Sequence, residues 1–592
     1  MSNHTDAYAE IDKQPHFLGH PAGLFVLFFT EMWERFSYYG MRGILTLYIA
    51  ASATAADPGL GWTTKDALWL YGWYTMLVYV MSIPGGYIAD KFLGQKKTVY
   101  LGGLLLCAGH GVLAIPDKTA FFIGLGLIIL GVGCLKPNIS TMVGGLYRPG
   151  DPRRDSGFTI FYIGINIGAF LASIVVGLVA HEYGWHYGFG LAGIGMLLGQ
   201  GVYMYGQRYL THVGNFAGAS EDPEVIAAMK RPLTKIEWDR IIVLLISFLI
   251  IIVFWAAFEQ AGGLMNLYTD AKVNRVIPLI DYTVPAAVFQ SLNAGYIILF
   301  GALVGAFWIR RAKAGKEASS LFKMALGTII MGLGFVFMMF ASKEASAEAY
   351  GKAAMYWIFL AYFFHTIGEL CASPVSLSFI TKLAPVKYAS IMMGVYFAAT
   401  GFGNKLAGTI GESSQLEPFK GDLIANVETV NGLTGTVEEG EGDAKTAIYP
   451  IAEDKNFSFK TSVSTENGQL VFTDMESGEV LNPIFKLDAE ATARLEEDFK
   501  IVAETHPTPL HAKLLFEKDE EAVKVEANKG DGKDYSVSFV LEEQQSDQEF
   551  NTFMMITILT VAFGLLLIVF LKKLKALTHG AEDVKEEEES LT

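Results

Sequence analysis

Apolar runs long enough to cross a bilayer recur along the chain, separated by short polar stretches. A hydrocarbon core of roughly 30 Å takes about 20 mostly apolar residues in a helix. Runs of that kind fall at 22–50, 66–89, 98–116, 119–146, 157–180, 186–206, 240–262, 285–309, 321–341, 353–382, 388–411 and 551–571. The polar stretch 207–239, which contains MKRPLTKIEWDR, divides them into two sixes. The pattern predicts an all-α polytopic membrane protein with 12 transmembrane helices in two six-helix halves. The first half covers 1–206, a linker 207–239, helices 7–11 of the second half 240–412, and helix 12 with its tail 550–592.

The stretch 413–549, between helices 11 and 12, breaks this pattern. NFSFKTSVST, GQLVFTD and YSVSFVLEE alternate apolar and polar residues, the period of half-buried strands. ATARLEEDFKIVAETH reads as a short amphipathic helix. A small, mostly-β extramembrane insertion is expected, either shielding the protein or binding a partner outside.

Composition agrees with a membrane chain. Of 592 residues, 52% are hydrophobic and 18% charged, against about 25% charged in an average soluble domain. That excludes a disordered chain, a nucleic-acid binder and a disulfide scaffold. The net charge of −16 is unevenly placed: residues 413–549 hold 30 acids and 12 bases, so the remainder is close to neutral. Cys107, Cys134 and Cys371 all lie in apolar runs, and the insertion has no cysteine. The N-terminus lacks the layout of a cleaved signal, so the first helix is expected to stay in the mature protein.

The loops predict the orientation. DKFLGQKK, RPGDPRRD, KRPLTK, RRAKAGK, KLAPVK and KKLK follow helices 2, 4, 6, 8, 10 and 12. Every basic cluster is on one side, which the positive-inside rule makes cytoplasmic. Both termini are then cytoplasmic and the insertion is periplasmic.

Charges inside the apolar runs are the candidate chemistry, because each costs about 2.5–3.5 kcal/mol at the helix centre. TEMWERFSYYGMRG in helix 1 places Glu31, Glu34, Arg35, Tyr38 and Arg42 on one stripe. Glu31 and Arg35 are i,i+4 partners, and two acids beside one guanidinium are able to share a proton. Lys136 in helix 4 precedes Pro137, whose missing N–H opens the local backbone ladder. In the second half, FWAAFEQAGG puts Trp255 and Glu259 on one face of helix 7, and HTIGELCASP puts Glu369 and Ser373 on one face of helix 10. Buried cations in the first half, Arg42 and Lys136, invite pairing with the anions Glu259 and Glu369 of the second. Asn166 and Asn293 add uncharged hydrogen-bonding groups, while His110 and His365 read as packing residues. No metal spacing, phosphate loop or catalytic triad stands out, so no enzyme activity and no cofactor are expected.

At these residues the sequence resembles the bacterial branch of the proton-dependent oligopeptide transporter family, which is part of the major facilitator superfamily. Glu31, Glu34, Arg35, Phe36, Tyr38, Tyr39 and Gly40 reproduce its helix-1 ExxERFxYYG motif. FYIGINIG (161–168) and GELCASP (368–374) look like its helix-5 and helix-10 signatures, and GGYIADKFLGQKK (85–97) like the superfamily's helix 2–3 loop. The resemblance implies a major facilitator fold and proton-driven import of di- and tripeptides by alternating access, protons being the coupling ion. Glu31, Glu34, Arg35 and Glu259 inherit proton coupling. Arg35, Tyr38, Tyr39, Tyr74, Lys136, Asn166, Trp255, Asn293, Glu369 and Ser373 inherit the peptide cavity. Arg42 with Glu259, and Lys136 with Glu369, would be gate salt bridges. The resemblance also implies a monomer in a bacterial inner membrane, with no nucleic-acid partner and an unassigned role for the insertion. Two departures stand out: Ala294 follows Asn293 where the family usually has proline, and helix 2 lacks the histidine of the animal branch. The alternatives are a nitrate or organic-anion transporter of the same family, and a transporter-like receptor whose outer domain binds a partner.

Overall fold

A bilayer leaves backbone polar groups no water to bond with, so a spanning segment must satisfy them within its own helix. The long apolar runs accordingly fold as helices. The computed structural model describes residues 14–53, 57–148, 151, 153–215, 232–314, 316, 318–385, 389–423, 434–437, 445–448, 457–466, 469–476, 478, 480–481, 485–495, 497, 510–518 and 535–581. In chain order the helices are α1 (Ala22–Ala50), α2 (Thr64–Val80), α3 (Gln95–Leu113), α4 (Lys118–Gly145), α5 (Arg153–Tyr183) and α6 (Trp185–Gly206). After the linker come α7 (Lys235–Phe258), α8 (Ser291–Lys313), α9 (Ser320–Ala345), α10 (Tyr356–Leu383), α11 (Ala389–Ser413) and α12 (Glu542–Leu577).

Seven helical stretches among the described residues are long and apolar enough to cross a membrane. They contain α4, α5, α7 with its continuation to Lys272, α8, α9, α10 and α12. α1 is longer than most of these but carries Glu31, Glu34, Arg35 and Arg42, and α2 has only 17 residues.

The helix ends follow ordinary chemistry. Thr63 caps α2 by accepting from Asp66 N, and Thr234 with Glu237 forms a capping box at α7. α2 is followed by a second helical piece, Ser82–Ile88, and a wider turn, Ala89–Leu93. Gly94, at φ +76°, then reverses the chain into α3, a conformation that glycine adopts without steric cost. α7 tightens at Glu259–Ala261 and resumes as Leu264–Lys272. α12 begins at Glu542, nine residues before the apolar run, because its first polar turns bind protein: Gln545 Nε2 donates to Ser414 O (3.0 Å) and Gln548 Nε2 to Ser413 O (2.7 Å).

The insertion holds eight described strands: β1 (Phe419–Leu423), β2 (Thr434–Val437), β3 (Lys445–Ile448), β4 (Phe457–Glu466), β5 (Gln469–Asp474), β6 (Phe485–Leu487), β7 (Leu510–Lys518) and β8 (Tyr535–Phe539). They form one sheet in the order β6-β1-β8-β7-β4-β2-β3, with β5 also paired to β4. β4 lies antiparallel to β7, with Phe459 opposite Leu514, and to β5, with Val463 opposite Phe472. Phe459, Phe472, Phe485, Phe516 and Phe539 build a core separate from that of the helices. Of the expected amphipathic helix, 491–495 and 497 are helical, and the rest lies outside the described residues.

Candidate transport site

The charged stripe of α1 is buried. Arg35 Nε lies 2.8 Å from Glu31 Oε1 and 2.8 Å from Glu34 Oε2, and all three side chains are at most 4% exposed. Helical i,i+4 spacing brings Glu31 to Arg35, while Glu34, its neighbour in sequence, approaches the same Nε. Arg35 donates a hydrogen bond to Glu31. Glu34 receives none among the described residues, on either oxygen.

Lys136 stands apart from this triad. Its Nζ sits 3.6 Å from the centre of the Tyr79 ring, a cation–π contact on α2. The local backbone is opened by Pro137, which cannot donate to the Gly133 carbonyl. Here α4 meets the Ser82–Ile88 piece so closely that a Cβ on Gly85 would lie 1.9 Å from Gly133 O. Asn138 Nδ2 donates within α4 to Cys134 O at 2.7 Å and across the junction to Gly85 O at 3.4 Å. Lys136 is within reach of the charges of Arg35, Glu34 and Glu31.

On the opposite half, Glu369 is held by Asn293, whose Nδ2 donates to Oε2 at 2.8 Å and to Thr366 Oγ1 at 3.1 Å. Among the described residues no ion pair joins Lys136 to Glu369 in this structure. Each has found another partner, the Tyr79 ring and the Asn293 amide. Tyr79 lies within electrostatic reach of Arg35, Arg42, Glu259 and Glu369, and Tyr162 within reach of Glu369 and Tyr39. Residues of α1, α2, α4, α5 and α10 therefore converge on one region.

The other expected pair is formed. Arg42 Nη1 donates to Glu259 Oε1 at 2.9 Å, both side chains being buried. Tyr71 donates to the same oxygen at 2.7 Å. Around them Thr46 Oγ1 donates to Gly262 O (3.1 Å), while Asn266 and Gln290 donate to Gly43 O at 2.9 and 3.2 Å. Beside this closure α2 and α11 run nearly in contact, a Cβ on Gly72 falling 3.0 Å from the Gly408 Cα.

The remaining expected residues are placed as follows. Tyr39 is half-buried, packed edge-on against Tyr38 and 5.1 Å from the Arg42 guanidinium. Tyr38 and Tyr74 are buried, their hydroxyls unpartnered among the described residues. Asn166 Nδ2 donates to Tyr162 O at 2.9 Å. Trp255 and Ser373 line one small cavity between α7 and α10, together with Phe254 and Ser376. His110 and His365 are buried among apolar side chains. Tyr71 and Tyr79 were not singled out by the sequence, because an uncharged aromatic in an apolar helix carries no signal of its own.

Comparison with known proteins now gives the class. The chain matches the POT family model over residues 96–220 and 222–419, more than half its length. This protein belongs to the POT family of transporters. It is 33% identical to the peptide transporter YePEPT of Yersinia enterocolitica over 67% of this chain and 88% of that one. It is 33% identical to the di-/tripeptide transporter of Lactococcus lactis over 71% and 94%. Among solved structures, a POT peptide transporter in complex with alafosfalin shares 35% identity, with a TM-score of 0.61 over 67% of this chain and 90% of that one. A POT family transporter in complex with a thioalcohol-conjugated peptide shares 30% identity, with a TM-score of 0.62 over 68% and 92%. The family match ends at residue 419, so all but the first residue of the eight-stranded sheet lies beyond it.

Proposed function

We propose that this protein imports di- and tripeptides together with protons across a bacterial inner membrane. Twelve transmembrane helices form two six-helix halves, with both termini cytoplasmic and the insertion outside. The halves rock about a midplane cavity. A short peptide is a zwitterion, and the site supplies cations, Arg35 and Lys136, for its carboxylate and an anion, Glu369, for its ammonium group. Tyr38, Tyr39, Tyr74, Tyr79 and Trp255 accommodate side chains, while Asn166 and Asn293 hold the peptide backbone. No cofactor takes part, protons being the coupling ion.

One observation carries this reading: Lys136, half-buried, and Glu369, buried, are charges of opposite sign inside the helical body, each held by a neutral partner and not by the other. A ligand with both charges is able to draw on both. The relatives named as peptide and di-/tripeptide transporters support the substrate class. The closed Arg42–Glu259 contact is the outer gate, and a proton on Glu259 or Glu34 changes the charge balance that holds it shut.

Competition in proteoliposomes tests the substrate. Uptake of labelled dialanine should be displaced by unlabelled dipeptides and not by nitrate, and should fall at least tenfold in Lys136→Ala and in Glu369→Gln. Displacement by nitrate, or full uptake in both variants, would overturn the assignment.

A further inference from the structure

The 413–549 insertion makes most of its described contacts with one half of the molecule. Its sheet is held by Tyr350, in the loop between α9 and α10 and itself at φ +54°. The Tyr350 hydroxyl accepts from Thr461 N at 3.0 Å and donates to Ala512 O, so one side chain fastens β4 and β7. His511 at the start of β7 bonds Glu543 of α12, its Nδ1 lying 2.7 Å from Glu543 Oε1, and its backbone N–H donates to Glu543 Oε2 at 3.0 Å. Gln545 and Gln548 tie the start of α12 to the end of α11, and Gln545 Oε1 accepts from Leu416 N at 3.1 Å. Lys272, at the outer end of the α7 continuation, pairs with Glu542. Helices α7, α9, α11 and α12 all belong to the second half, so the sheet rides on that half as one body.

One described ion pair crosses to the first half. Lys65 Nζ, in the first turn of α2, lies 2.7 Å from Glu417 Oε1, two residues before β1. Glu417 is held in place from behind, since Arg494 Nη2 donates to its carbonyl at 2.9 Å and the Arg494 guanidinium stacks on Phe419, 4.7 Å from the ring centre. Other described bridges between the halves include those of the gate, Arg42 and Tyr71 to Glu259 and the bonds to Gly43 and Gly262, a Lys405–Trp73 contact at 5.2 Å, and one in which Tyr282 donates to Glu182 at 3.3 Å.

We propose that the insertion carries an interaction surface for the first half of its own chain: Glu417 docks on Lys65 when the outer side is closed, and the pair separates each time that side opens. This rests on the alternating-access reading above. The insertion then acts as an added outer latch fixed to the second half. Both side chains are substantially exposed, and an exposed pair biases an equilibrium by roughly a factor of five at most. The latch therefore tunes the resting conformation without locking it.

Two measurements on the full-length protein test this. In a background with Cys107, Cys134 and Cys371 replaced by serine, Lys65→Cys and Glu417→Cys are joined by a reducible bifunctional thiol reagent, and dialanine uptake is measured before and after reduction. The cross-linked protein should lose uptake at least tenfold and regain it on reduction. A Tyr350→Cys, His511→Cys cross-link, within one body, should leave uptake unchanged. Full uptake with the Lys65–Glu417 link intact overturns the proposal, as does equal inhibition by the control link. The second readout needs no transport: Glu417→Lys should speed labelling of Thr46→Cys by a membrane-impermeant maleimide about two- to fivefold. An unchanged rate overturns the latch even if peptide uptake is confirmed, and faster labelling with no uptake of any peptide overturns the transport reading alone.

Discussion

Tyr71 and Arg42 donate to the same oxygen of Glu259, at 2.7 and 2.9 Å, so one carboxylate oxygen joins α1 and α2 to the C-terminal end of α7. The contact couples the halves through a single titratable group. A buried ion pair contributes little net stability against its desolvation cost, but removing one partner leaves a bare charge.

That asymmetry orders the gate variants. Arg42→Ala strands Glu259 and should cost about 3–5 kcal/mol. Tyr71→Phe removes one hydrogen bond to a charged group, about 1.5–3 kcal/mol. Thermal unfolding in detergent should therefore rank wild type above Tyr71→Phe above Arg42→Ala, and maleimide labelling of Thr46→Cys should rise in the same order.

The Lys136–Tyr79 contact separates ring from hydroxyl. Tyr79→Phe keeps the aromatic face and should leave dialanine KM within about twofold of wild type. Tyr79→Ala removes a desolvated cation–π contact of about 2 kcal/mol, corresponding to a change of up to roughly thirtyfold in KM. A large effect of Tyr79→Phe would show that the hydroxyl, not the face, matters.

Tyr350 anchors the insertion. Tyr350→Phe leaves Thr461 N without that partner, while Ala512 O keeps the Thr461 hydroxyl at 2.7 Å; one buried group left unsatisfied costs about 1–3 kcal/mol. Limited proteolysis within 413–549 should accelerate at least fivefold, while the helical core unfolds at an unchanged temperature.

The latch has a predictable pH window. Its hydrogen bond from Lys65 holds the Glu417 carboxyl below its ordinary value of 4.5. A depressed carboxyl contributes above the unfolded value and is lost as pH falls through the folded one. Between pH 7.5 and 6.0 the pair stays charged, so the effect of Glu417→Lys on Thr46→Cys labelling should be the same at both. Loss of that effect at pH 6.0 would make the latch itself a proton sensor.

How far the chain could be read depended on how local each signal was. The helices follow from apolar runs, and the α1 triad from i,i+3 and i,i+4 spacing, because both are contained within one element. β4, β5 and β8 were legible as alternating segments. Their order in the sheet was not, since β1 pairs with β8 across more than a hundred residues. Opposite signs pointed to Arg42–Glu259 and Lys136–Glu369 alike; this structure forms the first, while at the second an aromatic face and an amide hold the two charges. Tyr71, Tyr79 and Tyr350 acquire their roles only from what the fold brings against their hydroxyls and rings.

The central claim is that the buried α1 carboxylates couple protons to peptide movement, and Glu34, which receives no hydrogen bond from the described residues, is its sharpest point. Dialanine uptake into proteoliposomes under an inward proton gradient, wild type against Glu34→Gln, tests it directly. The account predicts that the wild type concentrates the peptide, while the variant exchanges it across the membrane without concentrating it. Concentrative uptake by Glu34→Gln at the wild-type rate would contradict it.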